Sequence, residues 1–304
     1  MTGLDFRPLS LEDKETVDSY MIENGDGSCQ HSFVSMYFHQ EKYGDRICIQ
    51  NGFLYTLRTA FCDEEYRVYL APMGKGDLKE AYEQVFRDAA AHQKKVKFFT
   101  ITQAHADFLD QEFPQRFISE NSREYGEYFY KTEKMMTFSG GELSKRRREI
   151  NQFWTLYGEH VTVESISPEN AEEIRDFEHA WVESYRETHD EDDLLREERM
   201  IAMHLEQFGN MGFRGVLLRY DGEVIGFTYG AKLGDYAFDD IVEKGNRTYK
   251  NIHKVLRKEM AKQCQDCRYI NVEEDLGIKM LRDMKLQYQP EFLLAKFIAY
   301  ERSA

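Results

Sequence analysis

The chain has 304 residues, with 55 acidic against 40 basic side chains and a net charge of −15, which speaks against a broad nucleic-acid footprint and would suit a small basic substrate. A 41% hydrophobic content is enough for a folded core, and five cysteines exclude a fully paired disulfide framework. No window approaches the roughly 18 apolar residues of a membrane helix, and MTGLDFRPLSLEDK lacks a signal-peptide pattern, so a soluble, cytoplasmic protein is expected.

In chain order, Phe6–Leu9 reads as a short strand, and Ser10 with Asp13 signals the start of a helix. A helix follows over 31–43, with Phe33, Met36, Tyr37 and Tyr43 on one face. Ile47-Cys48-Ile49, the turn Asn51-Gly52 and FLYTLRTAF predict a hairpin. YRVYLAPMGKGDLKEAYEQVF then reads strand, glycine-rich turn, helix, with Asp77 near the helix start. A strand (KKVKFFTIT), a helix (HADFLDQEF) and a strand (EYFYKT) close this half.

Ser139-Gly140-Gly141 has hinge composition. The helix after it carries Leu143, Ile150, Trp154 and Tyr157 on one stripe, with Arg147 on the same side. The second half starts with the strand 161–166, and Ser167-Pro168 marks a helix start. Helices follow at about 169–187 and 194–208. Then come the runs FRGVLLRY and EVIGFTYGAKL around Asp221-Gly222, a third run YAFDDIVEK, and a helix over 249–262. The strand RYINVEE, the helix GIKMLRDM and the run FLLAKFIAY finish the chain.

This order belongs to an acyltransferase-type α/β unit, and it occurs twice, roughly 160 residues apart. SLEDKETVDSY and SPENAEEIRDF open the two copies with the same helix-start signal. The expected fold class is therefore α/β (α+β), built from two similar units, each a mixed, strongly twisted sheet flanked by helices. The expected domains are 1–137, and 138–304 with its linker helix.

The linker SGGELSKRRREINQF, the tract GDLKEA and the tail INVEEDLGIKMLRDMKLQYQP resemble the bacterial proteins related to the C-terminal domain of phosphatidylglycerol lysyltransferases. The resemblance covers nearly the whole chain and implies tandem GNAT-like units. It also implies kinship with enzymes that move an aminoacyl group from a charged tRNA to a lipid or peptide. Those lysyltransferases carry a membrane-spanning portion that this sequence lacks, which speaks against a lipid acceptor. Acetyl-CoA-dependent relatives hold a pyrophosphate on a Gln/Arg-x-x-Gly-x-Gly/Ala loop at a helix N-terminus. Here Arg247 is present, but Lys250, Asn251 and Ile252 fill the end of that loop, and without glycine the backbone cannot approach a pyrophosphate so closely. Met73-Gly74-Lys75-Gly76 offers a second glycine-rich turn, more in keeping with a turn or cap than with a phosphate site.

The candidate catalytic residues are Glu243, Glu273, Glu274 and Asp275. The last three form a carboxylate run at a strand end, where ligands sit in open α/β sheets. They bind a substrate amine, act as a base, or cap the next helix. Glu243 is a candidate base at the end of its strand, or a surface glutamate there. Candidate substrate-binding residues are Arg146, Arg147, Arg247, Lys250, Asn251 and Asn271. Arg147 is expected at the seam of the two units, facing an anion or an internal carboxylate.

No metal site is expected. Cys264 and Cys267 form a single CxxC without a second pair, and His189-Asp190-Glu191-Asp192-Asp193 reads as a helix start. The function implied is acyl or aminoacyl transfer to or from a small-molecule or aminoacyl substrate, with aminoacyl-tRNA or acyl-CoA as co-substrate. The net charge does not favour tRNA. The alternatives are a non-catalytic binding module that keeps the fold, and an acetyl-CoA-dependent N-acetyltransferase.

Overall fold

The computed structural model describes residues 3–24, 27–187 and 190–303. His189 lies outside the described residues. Chain contacts divide the protein into two compact units, each discontinuous in sequence: residues 1–127, 274–282 and 293–304, and residues 128–273 and 283–292. A single cut at 137/138 therefore falls inside the second unit.

The first stretch gives β1 (Arg7–Pro8), α1 (Lys14–Asn24), α2 (Phe33–Phe38), α3 (Gln40–Tyr43), β2 (Asp45–Gln50) and β3 (Phe53–Arg58). It continues with β4 (Tyr66–Tyr69), β5 (Met73–Gly74), α4 (Leu78–Ala91), β6 (Lys95–Thr102), α5 (Gln103–Glu112) and β7 (Phe117–Asn121). The chain then forms β8 (Glu127–Lys131), α6 (Thr132–Thr137), α7 (Ser144–Tyr157), β9 (Val161–Ser165), α8 (Ala171–Tyr185), α9 (Glu191–Glu206) and α10 (Phe208–Met211). Next are β10 (Arg214–Tyr220), β11 (Glu223–Leu233), β12 (Ala237–Gly245), α11 (Ile252–Gln263), β13 (Tyr269–Asn271), α12 (Lys279–Leu286), β14 (Phe292–Leu294) and β15 (Lys296–Glu301).

Local chemistry sets many of these boundaries. Asn51-Gly52 and Asp221-Gly222 hold positive φ at both positions (52° and 79°; 49° and 91°), as the tight hairpin turns of β2–β3 and β10–β11 require. Ser10 with Asp13, and Ser167 with Asn170, form reciprocal capping boxes ahead of α1 and α8. Asp77 accepts the Glu80 amide at the start of α4, and Asp190 accepts the Asp193 amide at the start of α9.

The first sheet runs β1-β2-β3-β4-β6-β15-β7, with β5 added to β3. The second runs β14-β8-β13-β12-β11-β10-β9. In each, an antiparallel run (β2-β3-β4 or β10-β11-β12) is followed by a helix and a strand parallel to the last of the three. The expected double occurrence is thus present. Tyr55, Tyr69, Tyr82, Phe86 and Phe98 fill the first core, while Leu217, Phe227, Tyr229, Val255 and Leu256 are buried in the second unit. The linker helix α7 buries Ile150 and Phe153, with Leu143 just before it; Trp154 is only half-buried, so the apolar face lies one residue from the expected stripe.

Candidate active site

In the second unit, β12 and β13 lie side by side for three residues, Ala237 to Asp239 against Tyr269 to Asn271, and then part. Just beyond that point β12 bulges: Gly230 pairs with Asp240, and Tyr229 with Val242. A Cβ on Gly230 would lie 1.7 Å from the Asp239 carbonyl oxygen, so only glycine permits this approach. The carboxyl ends of parallel strands beside a crossover helix are where open α/β sheets take ligands.

The last pair before the opening is Asp239 with Asn271, which are 3% and 0% exposed. The Asn271 Oδ1 accepts the Glu273 amide at 2.8 Å, and Glu273 is held at φ 56°. One carboxylate oxygen of Asp239 and one of Glu273 lie within 4.8 Å of each other. Two carboxylates this close can grip an ammonium group, or divide base and binding duties between them. Glu273 and Asn271 were expected from the sequence. Asp239 was not singled out; its signal was an Asp239-Asp240 doublet inside the apolar run YAFDDIVEK.

On the α11 side of β12, Glu243 is engaged by His253 Nδ1 at 2.9 Å and by Arg257 Nε and Nη2 at 2.8 and 3.2 Å. Burial pushes its carboxyl up, but Arg257 and His253 outweigh that and hold it well below the usual carboxylate range. Arg257 also lies over the Tyr288 ring at 4.5 Å. An acid clamped in this way is a poor base, and Glu243 is better read as an anchor for α11. Its neighbour Asp240 accepts the Thr228 hydroxyl at 2.6 Å; burial, with the Glu243 charge, pushes its carboxyl upward.

The carboxylate run divides between the units: Glu273 belongs to the second, Glu274 and Asp275 to the first. Asp275 is fully buried and accepts from Arg123 (2.9 Å), Arg282 (2.9 and 3.0 Å) and the Gly277 amide (3.0 Å). That is a structural anion rather than a reacting one. Glu274 is half-buried beside it in sequence.

Of the basic and amide candidates, Arg146 and Asn251 both reach Glu149, while Arg147 and Arg247 have other partners. Arg146 pairs with Glu149 at 2.8 Å. Arg147 donates to the carbonyls of Phe138 (2.5 Å) and Gly140 (3.3 Å) and pairs with no carboxylate among the described residues. It ties α7 to the end of α6. Arg247 is exposed and lies 5.3 Å from the centre of the Tyr185 ring. Asn251, at φ 71°, donates to the Glu149 carbonyl and to Gln152. The loop's own amides are already used: Asn246 to the Ile225 carbonyl, Thr248 to the Asn246 side chain, Tyr249 to the Asn246 carbonyl, Lys250 to the Tyr157 hydroxyl and Ile252 to the Tyr249 carbonyl. Few donors remain for a pyrophosphate. The Gly74–Gly76 turn also serves structure, with Gly74 pairing with Phe53 and the Lys75 amide bonding Gly52.

Cys264 and Cys267 are buried free thiols, both pushed upward by burial. No helix of the described residues is long and apolar enough to cross a membrane.

The twice-used order of three antiparallel strands, helix and parallel strand defines tandem GNAT-like units, an acyltransferase fold. The model for phosphatidylglycerol lysyltransferase, C-terminal, matches residues 25–300, and the chain belongs to that family. A conserved protein of unknown function from Bacteroides thetaiotaomicron VPI-5482 superposes with a TM-score of 0.92 at 26% identity, covering 98% of this chain and all of that one. L-PGS from Bacillus licheniformis shares the fold, with a TM-score of 0.65 at 16% identity over all of this chain and 95% of that one. An uncharacterized protein of Mycoplasmoides gallisepticum is 20% identical over 272 residues, 87% of this chain and 86% of its own length.

Proposed function

We propose that the chain transfers an aminoacyl group from an activated ester, an aminoacyl-tRNA, to a hydroxyl or amine acceptor in the cytoplasm. The reacting site in this reading is the opening between β12 and β13. The observation that carries it is the approach of the Asp239 and Glu273 carboxylates to within 4.8 Å at that opening, in a chain of the lysyltransferase family. One carboxylate takes the proton of the acceptor O–H or N–H as its lone pair attacks the ester carbonyl carbon. The bond from that carbon to the ribose oxygen breaks, and the oxygen leaves with a proton. The second carboxylate holds the ammonium group of the amino acid. The net charge of −15 leaves only a local contact for the tRNA.

The test is transfer of labelled amino acid from a set of charged tRNAs, followed as loss of ester label above the spontaneous rate and its appearance in product. Glu273→Gln and Asp239→Asn should abolish the excess. Turnover of acetyl-CoA, or ester loss unchanged in both variants, would overturn the reading. The loop 246–251, most of whose amides already have hydrogen-bond partners, supports weak or absent binding of acetyl-CoA, which calorimetry measures directly.

A further inference from the structure

The helix α12 buries one residue, and it is a lysine. Lys285 is 8% exposed, although lysine is among the residues least often buried and its charge needs a counterpart inside a protein. Its neighbours in the second unit lie on both strands that part at the opening. The Lys285 Nζ donates to the Val272 carbonyl at 2.5 Å, one residue past the end of β13. On β12, burial pushes the Asp240 carboxyl up and the Lys285 charge works against that push. The Tyr130 hydroxyl of β8 donates to the Lys285 carbonyl at 2.7 Å and holds this end of α12 in place.

Val272 and Glu273 have all four of their backbone polar groups bonded. The Val272 amide donates to the Tyr128 carbonyl at 3.0 Å, and the Glu273 carbonyl accepts the Tyr128 amide at 3.2 Å. The remaining two, the Val272 carbonyl and the Glu273 amide, belong to one peptide plane. Lys285 grips that plane from one side and Asn271 Oδ1 from the other. The bond from an ammonium is charge-assisted and the stronger of the two. The plane leads into Glu273 at φ 56°, a conformation that a residue with a side chain rarely adopts and that persists only where its surroundings enforce it. Relaxation of this turn would swing the Glu273 carboxylate away from Asp239.

We propose that Lys285 is a positioning residue of the opening: its bond to Val272 keeps the turn at Glu273 closed and so sets the approach of the Glu273 carboxylate to Asp239. This role rests on the reading of that pair as the reacting site.

Lys285→Met keeps the stem and removes the donor, whereas Lys285→Arg keeps a cationic donor. Amide hydrogen exchange reads the turn, and the labelled transfer assay reads the reaction. In Lys285→Met, exchange at the Glu273 amide should quicken about tenfold while that of α11 keeps the parent rate. Transfer should fall about 10- to 100-fold, as small misplacements of a reacting group do. Lys285→Arg should bring both back to within roughly threefold of the parent. Unchanged exchange at Glu273 in Lys285→Met, or transfer lost equally in both variants, would overturn the role of Lys285. A parent protein without transfer, or one whose Glu273→Gln form keeps it, overturns the reacting-site reading instead, and exchange at Glu273 still decides whether Lys285 holds the turn. Should Lys285→Met not fold, Tyr130→Phe loosens the same end of α12 and should quicken exchange at Glu273 by roughly threefold; no change there would equally overturn the role.

Discussion

The two units part their parallel strands at the same place in the repeat and put opposite chemistry there. In the first, the last pair of β4 and β6 is Tyr69 with Phe98, both fully buried. In the second, the last pair of β12 and β13 is Asp239 with Asn271. Charges are buried in the first unit too, where acids far apart in sequence from their partners are paired with cations. Asp45 meets Arg58 through two bonds of 2.9 Å, Glu127 meets Lys296 at 2.7 Å, and Asp88 meets Arg67 at 3.0 Å. The first unit spends its polar groups on holding itself together. The second brings two carboxylates to within 4.8 Å of each other at its opening, where their charges influence one another's protonation.

Glu273→Gln is the largest expected effect. It should lower the transfer rate about 10²- to 10⁴-fold, with the melting temperature little changed. Full activity in this variant would erase the distinction between the two openings. Arg58→Ala should act in the other direction, costing on the order of 3–5 kcal/mol of stability in denaturant unfolding because Asp45 stays buried without compensation. A stable but inactive Arg58→Ala protein would move the chemistry into the first unit.

Glu178 gives a pH test. Burial raises its carboxyl from 4.5 to about 7, Glu197 adds to the rise, and Lys244 offsets only part of it. The folded protein therefore holds this proton where the unfolded chain has lost it. Stability should fall as pH rises from about 4.5 to 7, by roughly 3 kcal/mol relative to Glu178→Gln. Parallel pH–stability curves for the two proteins would refute this. The smallest effect expected is from Arg147→Ala, about 1–2 kcal/mol in thermal or denaturant unfolding, from two lost hydrogen bonds to the carbonyls of Phe138 and Gly140. A loss as large as that of Arg58→Ala would mean that Arg147 neutralises a buried acid after all.

The parts of this architecture legible in the sequence are those with a local cause. Asn51-Gly52, Asp221-Gly222 and the capping boxes at Ser10 and Ser167 each act within four residues, and they brought out the double occurrence of the unit. Partners far apart in sequence were not readable. Glu243 and Asp275 stand at strand ends like reacting groups, yet Arg257 and Arg123, 14 and 152 residues away, make them structural. Asp239 was hidden for the opposite reason: a buried acid in an apolar run looks like part of a core strand until its register places it at the opening.

One connection bears on how the protein is made. β15 lies between β6 and β7, and its Glu301 accepts the Val96 amide at 2.8 Å across 205 residues of sequence. The sheet that begins with the first strand is therefore completed by residues 296–301. During synthesis, β6 and β7 must wait, with open edges, until residues 296–301 emerge. Closure over such a separation is slow, and unpaired strand edges invite association with other chains. A ribosome-stalled or truncated product ending before Lys296 would thus also leave Glu127 buried without its lysine, and the half made first would be the last to become resistant to protease.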